Sequence, residues 1–176
     1  MGPQGPEGEV GPQGPPGPQG PQGLISHNVA LGRPVTASST LVNTAASNVV
    51  DNNINTTWSS NTTDVIDWLQ IDLGSRYDIS RVRLFWGATY ASGYQILVSD
   101  DPTFATVTST SIYTTTTGPG GVEDLTSLLQ GSGRYVRINM TDHLPITAVV
   151  FKEIQVYGVP AASQLVIPAP TPTSEE

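Results

Sequence analysis

The string DNNINTTW, residues 51–58, places a carboxylate at Asp51, an amide at Asn53 and a hydroxyl at Thr56 within a few residues of one another. Hard cations such as calcium are held by about six to eight oxygens drawn from carboxylates, carbonyls and hydroxyls. A polar, turn-prone segment can aim several of these at one point, which a strand with its alternating side chains cannot. The same residues have a plainer use, since Asp51 can cap its own backbone in an Asx turn, with Glu153 on a solvated edge. An ion held this way is structural, because protein oxygens fill its coordination and leave no place for a reactant. Reaction chemistry is not indicated elsewhere. Paired carboxylates, a nucleophile with its base and a phosphate-cradling glycine loop do not stand out, and His27 and His143 lie in unrelated contexts. With no cysteine, disulfides and thiolate metal centres are excluded. The expectation is a protein that is not an enzyme.

The elements that must position these groups are strands. In DWLQIDLG, Leu69, Ile71 and Leu73 share a face; in RVRLFW, Val82, Leu84 and Trp86 do; in YQILVS, Tyr94, Ile96 and Val98 do. RYVRIN aligns Val136 with Ile138, and KEIQVYG aligns Ile154 with Val156. Short alternating runs joined by Gly, Asn, Asp, Ser and Thr clusters predict an antiparallel β-sandwich. VEDLTSLL, residues 122–129, is read as a helical turn at most. The body from about Asn28 to Gly158 has the size of one domain with one core.

The ordered set NVALGRPVTASS, VVDNNINTTW, WLQIDLGSRYDISRVRLFWG, YQILVSDDPTF, GRYVRINM and FKEIQVYG resembles the discoidin family. That family includes the C-type domains of coagulation factors and the family 32 carbohydrate-binding modules. The resemblance covers the whole body and implies an all-β, eight-stranded antiparallel jelly-roll β-sandwich. It implies adjacent first and last strands and a binding module without chemistry of its own. It also implies a calcium site made from the side chain of Asp51, the carbonyls of Asn48, Asn53 and Lys152, the carbonyl and hydroxyl of Thr56, and the carboxylate of Glu153. Where the family often has Asp-Gly this chain has Asp51-Asn52, and asparagine tolerates the left-handed backbone better than most residues.

In such a sandwich the strands are scaffold and the loops at one end recognise ligands. The resemblance points to the loops around 40–46, 59–67, 87–93 and 141–148. Sugar recognition needs planar hydrogen-bonding groups and a flat apolar surface, and the candidates are Asn43, Asn61, Asp64, Tyr90 and His143. Each has a simpler explanation, because asparagines favour turns, a tyrosine can pack on the sandwich and a histidine can solvate a loop. Trp58, Trp68 and Trp86 are read as core rather than sugar platform. Arg83 and Arg137 project beside aromatic neighbours and are expected in buried or edge ion pairs.

Ahead of the body, glycine recurs at every third place from Gly2 to Gly23 with proline filling many positions between. Three extended chains wind together only if the residue at the shared axis lacks a side chain, so this collagen-like triple-helical segment predicts a homotrimer. At about 3.1 Å per residue the repeat spans roughly 70 Å. Of its eight third positions four are glutamine and only Pro16 is proline, which argues for a bacterial or viral source without prolyl hydroxylation. The chain thus reads as a stalk at residues 1–26, a β-sandwich at 27–158 and a Pro/Thr-rich flexible tail at 159–176.

A net charge of −8 disfavours nucleic acid and anionic membranes as partners. The loops SSTLVNTAA, SSNTTDVID and GATYASG carry no lysine and no Trp or Phe, so glycan binding is preferred to phospholipid binding. The expected protein is the binding head of an extracellular or surface-exposed fibre, on a bacterium, spore or virion, that serves adhesion. A domain that only aligns or caps the trimeric stalk is the alternative.

Overall fold

Each alternating run becomes a strand because a pleated backbone carries its branched and aromatic residues on one side, where a second layer can cover them. The structure is a computed structural model describing residues 26–62, 66–105, 107–126, 130–142 and 147–161, together with Gly2. The repeat from 3 to 25 and the tail from 162 onward lie outside these residues, and with them the trimeric stalk and the flexible end. Nine strands are formed: β1 His27–Asn28, β2 Val35–Ala37, β3 Trp58–Ser59, β4 Asp67–Trp86, β5 Gly93–Ser99, β6 Ser109–Thr115, β7 Val122–Leu125, β8 Gly131–Asp142 and β9 Val150–Pro160. A single short 3-10 helix, Ala46–Val50, is the only helix among the described residues.

The 20-residue β4 organises the whole. Its first part pairs with β8, setting Leu69 opposite Ile138 and Ile71 opposite Val136, and with β2 on the other side. Its last part runs between β9 and β7, with Leu84 opposite both Ile154 and Glu123. Between the halves the register against β8 shifts after Asp72, Gly74 takes φ +81°, and the Asp72 carboxylate accepts the Gly74 N–H at 2.8 Å. The strand therefore leaves one layer and enters the other. One layer runs β2-β4-β8-β5-β6 and the facing layer is built from β9, the end of β4, β7 and the two-residue strands β1 and β3.

The facing sides make one core in which Leu69, Ile71, Leu73, Val82, Leu84, Trp86, Tyr94, Ile96, Val98, Val136, Ile138, Ile154 and Val156 are all buried. Every face aligned by alternation thus points inward. Full burial of each such side chain stabilises by about 1.5–3 kcal/mol before the entropy of ordering is subtracted. As the resemblance implies, β1 pairs with β9, His27 opposite Gly158.

Three readings are corrected. Residues 122–125 are a strand rather than a helical turn, because β4 offers a free edge to which Phe85 pairs with Val122 and Leu84 with Glu123. Trp68 is half-buried on the outer side of its layer, since it shares the parity of Gln70 and Asp72, and the Arg137 guanidinium covers it at 4.5 Å from the ring centroid. Among the described residues Arg137 makes no ion pair of the expected kind: it is stacked between Trp68 and Phe104 and donates to the Gln70 side chain at 2.6 and 3.0 Å. Arg83 does form the edge pair, with Asp124 at 3.3 Å. Among the described residues the strands number nine where eight are implied, because short bridges such as β1 and β3 pair independently with β9.

At Gly133 the backbone of β8 runs so close to β5 that a β-carbon would sit 2.8 Å from the Ser99 nitrogen and 2.9 Å from its carbonyl oxygen. Gly133→Ala is expected to lower stability by about 1–3 kcal/mol through forced separation of the strands. Urea unfolding monitored by tryptophan fluorescence measures it, and an unchanged midpoint would contradict this packing.

Candidate functional site

The oxygen-rich loop grows out of the 3-10 helix, which buries Val49 and Val50 and ends at Asp51. Asn52 then takes φ +60°, the left-handed geometry for which asparagine is suited. This folds the chain back so that the Asp51 carboxylate accepts the Asn53 N–H at 2.9 Å and the Thr56 hydroxyl at 2.7 Å. The Thr56 hydroxyl also lies 2.6 Å from the Asn53 carbonyl, so one proton is shared between two acceptors. The Asn48 side chain donates to the Thr57 carbonyl at 2.8 Å and holds the loop's far limb. An Asx turn is therefore present, as its geometry required, and oxygens are left in excess of protons.

Glu153 lies against this loop. It pairs with Phe85 on β4, while the next pair is Trp86 with Phe151, so Lys152 is the extra residue of a β-bulge. Glu153 is only 1% exposed, and among the described residues neither carboxylate oxygen has a well-formed hydrogen bond, the Asn52 amide being its nearest donor. Burial pushes its pKa up to about 7, the Asp51 charge adds to the rise, and the Asn52 amide opposes it weakly. A buried carboxylate without partners is costly. Among the described residues no three His, Cys, Asp or Glu side chains converge, so the donors are a mixed set of carboxylates, carbonyls and a hydroxyl. That chemistry suits calcium rather than a transition metal.

The second region is the end of the sandwich where β9 begins. There Val150 pairs with Ser59 and its N–H donates to the Thr89 carbonyl at 3.0 Å, so the loops after β3 and β4 flank the start of one strand. Asn43 is exposed at φ +67° in a turn closed by Thr44, whose hydroxyl donates to the Leu41 carbonyl at 2.7 Å. Asn61 is half-buried and its N–H donates to the Ser39 hydroxyl at 3.0 Å. Tyr90 is 40% exposed, the most open aromatic side chain among the described residues. The structure brings Asn43, Asn61 and Tyr90 to this one end; Asp64 and His143 lie outside the described residues.

Tyr90 is backed by groups that sequence reasoning missed. Its ring leans on Trp86 at 6.4 Å, and Trp86 stacks on Phe151 at 3.9 Å. Gly120, at φ +70°, lies over the Tyr90 ring: a β-carbon there would come within 2.6–2.8 Å of Cγ, Cδ1 and Cε1 alike. Glu123 is 7% exposed and accepts the Trp86 indole N–H at 2.6 Å and the Tyr94 hydroxyl at 2.7 Å. Burial, and then the bond to Glu123, raise the Tyr94 pKa and hold its hydroxyl protonated. The signal in the sequence was Gly-Pro-Gly-Gly followed by an acid at the inward parity of VEDL, which a helical reading of that segment conceals.

A two-layer antiparallel sandwich with loops gathered at one end and an oxygen-rich loop on its flank defines a class of binding domains. The chain belongs to the F5/8 type C domain family, which it matches over residues 34–150. It is similar to chitosan-binding module 1 of a chitosanase/glucanase from Paenibacillus sp. IK-5, with 38% identity and a TM-score of 0.69 over 75% of this chain and 99% of that one. Module 2 of the same enzyme, solved in complex with chitotriose, is 34% identical with a TM-score of 0.68 over 74% of this chain and 100% of its own. The family 32 module of Clostridium perfringens NanJ, in complex with galactose, shares the fold at 18% identity and a TM-score of 0.63, over 75% of this chain and 97% of that one. No curated protein matches the chain by sequence.

Without calcium, the raised Glu153 pKa makes stability fall as pH rises from about 4.5 toward 7, because the unfolded chain releases this proton first. Above pH 7 this contribution is flat. A calcium ion at this loop would favour the ionised form, so a stabilisation by added calcium, if the loop takes it, is expected to grow over the same interval. Thermal unfolding at several pH values, with calcium or with EDTA, should show both trends in the unaltered protein and neither in Glu153→Gln.

Proposed function

We propose that the domain is a non-catalytic carbohydrate-binding head that takes glycans on the loops around Tyr90, with amino-sugar oligomers such as chitotriose as the first ligands. The observation that carries this is the exposed Tyr90 ring, backed by Trp86 and Gly120, at the loop end of a domain 34–38% identical to chitosan-binding modules. Asn43 and Asn61, together with Asp64 and His143, are the polar candidates around it. An acidic chain, of sequence pI about 4.5, suits a ligand carrying amines.

Calcium at Asn48, Asp51, Asn53, Thr56, Lys152 and Glu153 is structural in this reading, and its chemistry is to neutralise the paired carboxylates and pin the loop to β9. Around the domain, the collagen-like repeat supplies a homotrimer of an extracellular or surface-exposed adhesive fibre. Three weak heads on one stalk gain avidity, about 10²–10⁴ over a single site where geometry allows. The stalk-capping alternative requires a trimer and no ligand. A phospholipid reading has one observation in its favour, the exposed Leu41, Val42 and Ile66 in the loops, but no Lys or Arg stands in those loops to meet an anionic surface.

Calorimetric titration with chitotriose and galactose decides among these. Binding of the amino sugar is expected, with Tyr90→Ala weakening it about tenfold or more. Silence toward both sugars with a trimer by sedimentation would favour the capping role, and capture by phosphatidylserine vesicles would favour the membrane. A monomer by sedimentation would overturn the stalk reading.

A further inference from the structure

Glu123 is an acid held inside the sandwich. It faces inward opposite Leu84, beside Trp86 and Tyr94, and both its oxygens are engaged by neutral donors. The cationic neighbours on β4, Arg81 and Arg83, are turned to the outer side, where they meet Asp124. A leucine here would fill the space but leave the Trp86 indole N–H and the Tyr94 hydroxyl buried without an acceptor. The acid is thus the acceptor on which the orientation of both groups rests.

What it holds is the support of Tyr90. The Trp86 indole is held by its N–H to Glu123, by its stack on Phe151 and by its tilted contact with Tyr94 at 5.4 Å, and its backbone N–H donates to the Gly121 carbonyl at 2.8 Å. The bond to Glu123 is the directional contact of the three that the ring makes. Glu123 also follows Gly120 and Gly121 by two or three residues, so its anchorage fixes the glycine backbone that lies over the Tyr90 ring. Both walls around the exposed tyrosine thus depend on one buried carboxylate.

We propose that Glu123 is a positioning residue for the glycan platform: through Trp86 and the Gly120–Gly121 turn it holds Tyr90 in the orientation that receives the sugar. This rests on the reading of the Tyr90 loops as the glycan site. Its requirement is an acceptor for the indole N–H. Glutamine meets that requirement, since its carbonyl can accept from Trp86 while its amide donates to the Tyr94 oxygen; leucine does not. Tyr94→Phe removes the other partner and leaves the Trp86 contact intact.

The test pairs a ligand-free readout with affinity. Gly120 lies over an aromatic face, so its α-protons are shifted upfield in the NMR spectrum by the Tyr90 ring current. In Glu123→Leu that shift is expected to collapse and chitotriose affinity to fall about tenfold, whereas Glu123→Gln and Tyr94→Phe keep both, measured well below their unfolding temperatures. If Glu123→Leu does not fold, Trp86→Phe, which keeps a ring on Phe151 but gives up the N–H, should show the same collapse. A retained Gly120 shift and affinity in the leucine or Trp86→Phe variant would overturn the proposal, as would an equal loss in Tyr94→Phe. Failure of the unaltered protein to bind either chitotriose or galactose would sink the glycan reading, and the Gly120 shift would still decide whether Glu123 sets the platform.

Discussion

Everything in this domain depends on one strand serving two layers. By turning at Gly74, β4 pairs with β8 along its first half and with β9 and β7 along its last. Side-chain period in a strand is two, so a slip of one residue would expose a whole face. Here a slip in either layer is opposed by the pairing of the other. The end of β4 is thereby fixed from both sides, and it is there that Trp86 meets Glu123 and Phe85 faces Glu153.

Two buried glutamates lie close to that strand end and illustrate opposite solutions to one physical problem. Glu123 has a full complement of donors, a hydroxyl and an indole, so its position is rigid. Glu153 has no well-formed donor among the described residues, and with Asp51 nearby its proton is held to higher pH. The first acid is completed by its own core; the second is met mainly by another acid. Burial alone would not separate the two roles, and the difference lies wholly in which protons surround the oxygens.

Much of the fold was legible because the inward sets Leu69–Ile71–Leu73, Val82–Leu84–Trp86 and Tyr94–Ile96–Val98 follow strict alternation, which directly reflects the layers. The left-handed turn at Asn52 was also legible, since few residues other than glycine accept φ +60°. Residues 122–125 were not, because their strand owes its existence to the free edge of β4, a long-range partner that local pattern does not contain. Trp68 misled for a related reason: tryptophan is usually covered, and here the cover is Arg137 rather than the core. Of the candidate site, Tyr90 was visible as a loop aromatic, while Glu123 and Gly120 become meaningful only when β7 lies beside β4.

The pairing of β1 with β9 has a mechanical corollary. The chain enters at His27 opposite Gly158, near the end of β9, whereas the Tyr90 loops flank its start. A tether ahead of His27 and a ligand at the loops would therefore pull along the strand direction. In that geometry the bonds from His27 to Val29, including the Val29 N–H to the Val156 carbonyl and the Asn28 side chain accepting the Val156 N–H, are loaded together in shear rather than peeled singly. Resistance to such a load is a matter of unfolding rate more than of equilibrium stability. A clasp of a few residues at the point of attachment can thus govern how long the domain endures tension.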